Sequence, residues 1–353
     1  MLNIFRLFIV KSVRILKDDG VFCQIFPLAF AADVSAADLR IYILQSLKLL
    51  MVEAFPERDD PKRRVFEAAK MSVCITLLRK TCDTQCKFSV RINTDRYVDD
   101  AREPTVLSSG TIALFDPKNF TIPLMTQADV DVIRKVYDRS VRLSSIAHCY
   151  TGEIDMTLGK KYFTTDSRHA ILLKGAIIDR YLTRSKMSQG EIVYLDAQRY
   201  LKDNSGGRAS HHNATRIVMQ GITGINESVR LKMTLAQNVF CANSVNYLII
   251  REPHVNERFL LGFLNSRLAN YVFKKFSTNS NVNGYEVDNL PFPQEIPPKS
   301  DQRCIALVNR ILGEKHRDAN ADTTAMEREI DRLVYSLYDL TPEEIETIEK
   351  NRA

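Results

Sequence analysis

The chain has 353 residues, of which 45% are hydrophobic and 26% charged, and its formal net charge is +6. This composition excludes a fibrous or disordered chain and leaves enough length for two or three units with hydrophobic cores. The seven cysteines are scattered, which argues against a disulfide framework and indicates a reducing cytoplasm. Only Cys82 and Cys86 lie close together, and this single pair without a nearby histidine predicts no zinc site.

The N-terminal stretch MLNIFRLFIVKSVRILK predicts a buried helix. Arg6, Lys11 and Arg14 interrupt its apolar residues, and no small-residue cleavage site follows. The stretch also stays below the roughly 18 apolar residues that a membrane span needs. We therefore predict no membrane segment here.

Helices and apolar strands then alternate up to residue 92. A second helix is predicted over 36–50, and apolar strands over the ranges 21–26, 51–55, 71–78 and 88–92. The first of these strands, VFCQIF, is a continuous apolar run of the kind found in buried parallel strands. The last is expected to be an edge strand. This alternation predicts part of an α/β sheet.

A polar stretch ends at DDAREP, and a short helix is predicted over 126–141 with Thr126 as its N-cap. The following region predicts an α+β unit with many short strands, at 171–173, 192–195, 216–220, 239–242 and 245–250. The last two are joined by Asn243-Ser244 like a tight hairpin. Residues 151–235 carry 13 Lys and Arg against 8 Asp and Glu. Such an excess suits a face that binds a polyanion, although solvated surfaces often show it too.

Two polar loops in this region carry many hydrogen-bonding side chains. The loop 202–216 contains Gly206-Gly207 and the candidate DNA-binding residues Arg208, His211, His212, Asn213 and Arg216. The run 277–284 contributes Asn279, Asn281 and Asn283. Lys and Arg can neutralise phosphates, while Arg, Asn and Gln can bond base edges. The alternative is that each loop is a mobile surface segment without a partner. Two adjacent histidines without a third ligand predict no metal site.

Gln220 is a further candidate, because Arg216, Val218 and Gln220 alternate along one predicted strand and so share a face. Downstream, the spacing of Phe259, Phe263, Leu264, Leu268, Tyr271 and Val272 predicts one amphipathic helix before the asparagine-rich loop. The loop leads into Leu290-Pro291-Phe292-Pro293, an extended exit. Beyond it we predict an antiparallel helical hairpin and a last helix that starts at Thr341-Pro342.

These segments carry a resemblance to a known family. The strings LLKGAIIDRY, RIVMQGITG, LLGFLNSRL, the asparagine-rich loop and LPFP resemble, in this order, the TaqI-like target-recognition domain of adenine-specific DNA methyltransferases, including type IIG restriction-modification enzymes. None of the strings is a catalytic signature. The resemblance implies double-stranded DNA as the partner, and it adds Lys174 and Arg180 in LLKGAIIDRY to the candidate DNA-binding residues.

The N-terminal part resembles the last third of the catalytic domain in the same family. ILKDDGVFCQIFP is similar to the helix-to-strand step that follows the catalytic motif, and VFEAAKMSVCITLLRK is similar to the segment whose aromatic residue stacks on an extruded adenine. Phe66 is the best match for that residue. A flipped base needs such an apolar face in place of its lost stacking. The alternative is that Phe66 packs its loop onto the core.

The catalytic motifs of the family are absent from the sequence. No glycine-rich turn for S-adenosylmethionine follows an early strand, and no Asn-Pro-Pro-Tyr loop is present. Asn289-Leu290-Pro291-Phe292 has the wrong second residue and position, and Asp116-Pro117-Lys118 is too short for a nuclease motif. The family implies S-adenosylmethionine as cofactor, but its binding motif is missing. We therefore expect the chain to need an upstream catalytic portion or a methyltransferase subunit.

The sequence thus predicts an α+β multi-domain protein. Residues 1–105 are expected to be a remnant of a methyltransferase-like α/β catalytic domain, 106–298 a TaqI-like DNA target-recognition domain, and 299–353 a C-terminal helical tail. The expected function is DNA target recognition within an adenine-specific methyltransferase of a restriction-modification system. The alternatives are a non-enzymatic specificity or assembly subunit and a DNA-independent interaction protein.

Overall fold

The computed structural model describes residues 4–81, 87–184, 191–277 and 279–350. It divides into two compact units, Met1–Asp138 and Arg139–Ala353. By compactness, residues 106–138 belong with the first unit, and the C-terminal helices belong with the second. The predicted boundaries after residues 105 and 298 concern the function of each segment, and they stay a prediction. Cys82 and Cys86 lie outside the described residues.

A five-stranded sheet forms the centre of the first unit. Its strands are β1 (Val21–Pro27), β2 (Lys48–Phe55), β3 (Val73–Arg79), β4 (Lys87–Ile92) and β5 (Thr105–Ser108). They lie in the order β1-β3-β2-β4-β5, and only β2 and β4 pair in parallel.

The sheet corrects two predictions about strand position. The strand predicted to be buried and parallel, β1, is an edge strand that pairs antiparallel with β3. It buries Phe22 and Phe26 on one face and exposes Val21 and Ile25 on the other. An apolar run alone does not reveal whether both faces are covered. The strand predicted at an edge, β4, lies between β2 and β5.

The described part of the first unit has five α-helices: α1 (Ile4–Ile15), α2 (Ala29–Ala32), α3 (Ala37–Ser46), α4 (Ser109–Phe115) and α5 (Gln127–Asp138). The prediction of a buried N-terminal helix was wrong, because α1 buries only one side. That side holds Phe5, Ile9 and Val13, and the ring of Phe5 stacks on Phe26 at 5.6 Å. The opposite side leaves four large apolar residues exposed, namely Ile4, Leu7, Phe8 and Ile15. The helix α5 is confirmed, with the expected face buried.

The second unit contains twelve described strands: β6 (Ser140–Arg142), β7 (Ala147–Thr151), β8 (Phe163–Thr164), β9 (Ala170–Leu173), β10 (Ile178–Asp179), β11 (Leu182–Thr183), β12 (Tyr194–Leu195), β13 (Arg216–Gln220), β14 (Met233–Ala236), β15 (Phe240–Cys241), β16 (Val245–Ile250) and β17 (Pro291–Pro293). One antiparallel sheet has the order β14-β13-β16-β7, and a second sheet has the order β15-β9-β12-β8. Two short pairs, β10-β11 and β17-β6, complete the set.

The predicted hairpin at Asn243-Ser244 is corrected. Instead of pairing with β16, β15 pairs in parallel with β9, so these consecutive strands enter different sheets. The turn between them is tightly surrounded: Gly152 and Gly221 donate their N–H groups to the carbonyls of Val245 and Ser244 at 2.7 and 2.8 Å. Gly175 donates to the Ser244 hydroxyl at 3.1 Å. A Cβ atom at any of the three glycines would collide with backbone of residues 241–244.

The second unit also holds eight described helices: α6 (Leu143–Ile146), α7 (Ala197–Asp203), α8 (Glu257–Leu264), α9 (Arg267–Phe276), α10 (Gly284–Asp288), α11 (Pro298–Arg317), α12 (Thr324–Leu337) and α13 (Pro342–Lys350). The single amphipathic helix predicted around residues 259–272 is divided into α8 and α9. Asn265 bonds the backbone N–H and C=O of Met233 at 3.1 and 3.0 Å. Ser266 then caps α9 by accepting from the Ala269 N–H.

The C-terminal helices pack on α8 and α9. Gly262 in α8 lies where a side chain would meet Cys304 and Val308 of α11. Arg267 in α9 pairs with Asp331 at 3.2 Å. The predicted helical hairpin, α11 with α12, is confirmed, as is the start of α13, where Thr341 and Glu344 cap each other. No helix among the described residues is long and apolar enough to cross a membrane.

Candidate nucleic-acid interface

The predicted loop 202–216 folds into a short helical turn, Gly207–Asn213, which begins at a glycine with a φ of 61°. Its first side chain, Arg208, is exposed and donates to the Thr151 carbonyl at 3.0 Å. Asn213 at the other end is also exposed. The turn therefore presents one cation and one amide to solvent.

The two histidines of the turn point inward. His211 Nδ1 lies 2.9 Å from the Tyr247 hydroxyl. Burial, with the nearby Arg216 charge, lowers the pKa of His211, so its imidazole is neutral at pH 7. His212 stacks on Phe240 at 4.5 Å, and its Nδ1 lies 2.7 Å from the Ala209 carbonyl. Both side chains fix the turn on the sheets.

An aromatic layer supports the turn from below. Tyr150 of β7 stacks on Tyr247 of β16 with centroids 5.6 Å apart, and meets His148 and His211 edge-on at 4.5 and 4.9 Å. The exposed Arg251 donates to the Tyr150 hydroxyl at 3.2 Å. Edge-on and offset pairs of this kind are favourable packing geometries. The layer gives the turn a rigid base.

Arg216 occupies a position different from the expected one. It is on the predicted strand face with Val218 and Gln220, but that face is covered. The guanidinium is fully buried, lies 3.1 Å from Glu153 and sits 4.4 Å above the Tyr247 ring. This corrects the expectation that Arg216 is open to DNA: its charge is already neutralised inside the unit. Gln220 is likewise engaged, donating to the Ile178 carbonyl at 2.6 Å.

Lys174 and Arg180 are held by partners of their own. The Lys174 ammonium donates to the Glu191 carbonyl at 2.7 Å. Arg180 donates to the Asn265 carbonyl at 2.7 Å and pairs with Glu327 at 2.7 Å. Arg180 thus ties α12 to the turn between α8 and α9.

The asparagine-rich run forms a loop at 277–283, of which residue 278 lies outside the described residues. Asn279 and Asn281 are exposed, and the Asn279 side chain accepts from the Asn281 N–H at 2.8 Å. Asn283 instead caps α10, in a reciprocal arrangement with Glu286. Val282, the loop's apolar residue, is buried.

A second loop, residues 221–231, lies beside the first. The Thr223 N–H donates to the Ser280 carbonyl at 2.8 Å, and the Val282 N–H to the Gly221 carbonyl at 2.9 Å. It exposes Ile222 and Ile225, at 61% and 48%, and buries Arg230 between the loops. Sequence periodicity gave no indication of this pairing. The only available signal was two isoleucines in a glycine-containing loop, GITGIN.

In the first unit, Phe66 lies in an irregular loop between β2 and β3 and is 42% exposed. Its ring is therefore partly open to solvent, and both its stacking role and the alternative of loop packing stay predictions. Among the described residues no group of three or more His, Cys, Asp or Glu is placed to hold a metal ion.

Comparison with known proteins adds three findings. Residues 170–292 match the TaqI-like C-terminal specificity domain. The chain is 23% identical, over 97% of its length, to a candidate type II restriction enzyme and methyltransferase of Methanocaldococcus jannaschii, but spans only 29% of that relative. Its fold is similar to that of the type IIL restriction-modification enzyme MmeI in complex with DNA, with a TM-score of 0.56 and 11% identity over 99% of this chain and 52% of MmeI.

The type IIG restriction endonuclease BpuSI also aligns, with a TM-score of 0.40 and 12% identity over 97% of this chain and 50% of BpuSI. The matched residues 170–292 include β13, the 207–213 turn and both loops. Residues 170–292 therefore resemble a TaqI-like C-terminal specificity domain, in a chain similar to a type II restriction enzyme and methyltransferase.

Proposed function

We propose that this chain is the DNA target-recognition part of an adenine-specific DNA methyltransferase in a restriction-modification system. The observation that supports it best is the specificity-domain match, which includes two exposed polar loops and a cationic turn. Sequence-specific DNA binding needs groups for phosphates and groups for base edges. The second unit offers both on described loops.

The exposed side chains are the proposed DNA contacts. Arg208 is placed to neutralise a phosphate, because its side chain is exposed and its bond to Thr151 uses Nη1 and not Nη2. Asn213, Asn279 and Asn281 are the proposed base-edge contacts, since an amide bonds adenine through paired donor and acceptor. His211, His212 and Asn283 support these loops from within, and Arg216, Gln220, Lys174 and Arg180 stabilise the fold around them.

The proposed reaction of the whole enzyme is methyl transfer to the exocyclic amine of a flipped adenine, and Phe66 is the proposed stacking partner for that base. S-adenosylmethionine would supply the methyl group. The first unit does not fit this cofactor: its two glycines are Gly20, which precedes β1, and Gly110, which lies in α4. Neither forms a glycine-rich turn after a strand. We therefore assign no step of methyl transfer to this chain.

The surface of the first unit supports the need for a further catalytic portion. No described strand pairs with the outer edge of β1, and its Val21 and Ile25 are exposed. The exposed side of α1 adds Leu7 and Phe8. A free edge strand with apolar residues favours pairing with another strand. We propose that the rest of the methyltransferase sheet continues at β1.

Binding of the chain to a pool of random duplex DNA across a salt series, with sequencing of the retained duplexes, tests the recognition function. We expect salt-sensitive binding that enriches one short motif containing adenine. Arg208→Gln should reduce the salt slope by about 1 without changing the motif. The matched control is Arg317→Gln, which removes an exposed cation from α11.

Three other results are informative. Absence of binding at low salt contradicts DNA recognition by this chain. Salt-sensitive binding without enrichment contradicts base reading and leaves only a phosphate-binding surface. If the chain enriches a motif and the adjacent upstream reading frame encodes a complete methyltransferase, the alternative of a non-enzymatic specificity subunit is favoured.

A further inference from the structure

The two loops of the specificity domain, 221–231 and 277–283, share a single buried side chain. Arg230 is 1% exposed. Its Nε donates to the Thr223 hydroxyl at 3.1 Å in the loop 221–231. Its Nη1 and Nη2 donate to the Ser277 hydroxyl at 2.7 Å and to the Asn281 carbonyl at 3.3 Å in the loop 277–283. One guanidinium thus connects both loops from inside.

The surroundings of Arg230 fix it in this position. Its guanidinium lies 5.2 Å from the centroid of the Phe273 ring. The backbone N–H of Arg230 donates to the side-chain oxygen of Asn270 at 2.8 Å. Its described bonds from the guanidinium go to hydroxyl and carbonyl oxygens. A planar cation with donors in a fixed fork suits this task, which lysine could not perform.

The side chains on the outer surface of the joined loops differ from those inside. Asn279 and Asn281 present amides, and Ile222 and Ile225 present apolar groups. Amides bond base edges, and apolar side chains contact the thymine methyl group. Because these side chains carry no charge, they are suited to distinguishing bases and add nothing to phosphate binding.

We propose that Arg230 is a positioning residue that locks the two loops into one base-reading surface. This inference rests on the proposed function. It separates the roles within the domain: Arg208 on the 207–213 turn supplies affinity that does not depend on sequence, whereas Arg230, without touching DNA, supplies selectivity. Loss of Arg230 therefore lowers discrimination between duplexes and leaves their common affinity in place.

The test compares wild type with Arg230→Met for binding to the selected motif and to random duplex. We expect a roughly 10- to 100-fold loss for the motif, corresponding to one or two base contacts, and at most a twofold change for random duplex or in the salt slope. The matched control is Lys232→Met, which removes the same charge two residues away, where the lysine pairs with Glu227 of the loop 221–231 and not with the loop 277–283. An equal loss for both duplexes would overturn the positioning role.

Two milder variants keep the test decisive where Arg230→Met fails to fold. Thr223→Val and Ser277→Ala each remove one acceptor, one from each loop. If both hydroxyls hold the same arginine, the loss of selectivity in the double variant should be smaller than the sum of the losses in the two single variants. Strict additivity, or unchanged selectivity in all three, would overturn the proposal.

Hydrogen exchange separates failure of this inference from failure of DNA recognition. Without any DNA, loss of the lock should speed exchange of the Thr223 and Val282 amides, which bond across the loops. If the wild type shows no sequence preference, but exchange of these amides is faster in the variant, the proposed function is refuted and the lock is retained. Unchanged exchange refutes the lock whatever the DNA result.

Discussion

The buried pair of Arg216 and Glu153 shows how a residue that fits a DNA-binding role by type can serve the fold instead. Glu153 Oε1 also accepts from the Cys241 N–H at 3.0 Å, and Arg216 donates to the Val239 carbonyl. The pair therefore holds β13 and the 239–241 segment, which belong to different sheets. Removing one partner of such a buried pair is costly, because the remaining charge keeps its desolvation penalty and loses the attraction that offset it.

Arg216→Met should lower the free energy of unfolding of the second unit by about 3–5 kcal/mol, because it leaves the Glu153 carboxylate unpaired inside. Urea denaturation followed by circular dichroism measures the change. Arg216→Met with Glu153→Gln should recover part of the loss, since the glutamine carbonyl can still accept from Cys241. A variant that unfolds like wild type but loses DNA affinity would show that Arg216 contacts DNA.

The sequence located these residues only in part. Alternation along β13 correctly placed Arg216, Val218 and Gln220 on one face. It could not tell that Tyr247 and the Glu153 carboxylate would cover that face, because both arrive from distant segments. The same limit applies to Arg230, whose partners at 223, 277 and 281 become neighbours only after folding.

At the scale of elements, Gly262 of α8 allows α11 to approach that helix closely. A Cβ atom there would lie 2.8 Å from the Cys304 sulfur and 2.9 Å from a Val308 methyl group, both on α11. The packing of α11 on α8 thus depends on the absence of a side chain at residue 262. Polar links reinforce it, such as the pair of Arg267 with Asp331.

Gly262→Ala should lower the free energy of unfolding by about 1–3 kcal/mol, the usual cost of overpacking. The control is Gly313→Ala in α11, where nothing lies within 4 Å of the added methyl group. It should raise the stability by about 0.5–1 kcal/mol, because alanine is the better helix former. Thermal unfolding of both variants provides the comparison, and equal effects would contradict the packing described at Gly262.

Elements with a strong local pattern were predicted well. The bounds of β13 and β16 match the predicted ranges, and α5, α12 and α13 lie within or beside the predicted segments. The errors occurred where a distant partner decides the outcome. Asn265 interrupts the predicted helix because it bonds Met233, and β15 leaves its sequence neighbour β16 because β9 offers a parallel edge.

At the scale of the whole molecule, the chain spans 29% of its Methanocaldococcus jannaschii relative and 52% of MmeI. Within the first unit, the helix α1 and the edge strand β1 both expose large apolar side chains, Leu7 and Phe8 on the helix and Val21 and Ile25 on the strand. Apolar residues in such a group commonly mark an interaction site. The sequence led us to expect a sheet remnant, but it could not show that β1 and β5 are its edge strands.

Replacing Leu7 and Phe8 together with lysine should change the free energy of unfolding of the first unit by less than about 0.5 kcal/mol, since both side chains are exposed. Self-association should fall, and assembly with a separately produced catalytic portion should weaken. Analytical ultracentrifugation measures both. Phe5→Ala, on the buried side of the same helix, is the control and should cost about 3–5 kcal/mol. If the double lysine variant unfolds, the side of α1 that carries Leu7 and Phe8 must be packed within the folded chain, which would contradict its exposure.

The crowded turn at 242–244 has a further consequence for how new specificities could arise. Gly152, Gly175 and Gly221 all press their backbones against it, so no side chain can be inserted there. The loop 221–231 begins at one of these glycines and ends just before β14. Evolution or protein engineering could therefore exchange the exposed residues of the loops, provided that each graft retains the three glycines and Arg230, which connects the loops. The junction acts as a fixed frame on which target preference can be rewritten.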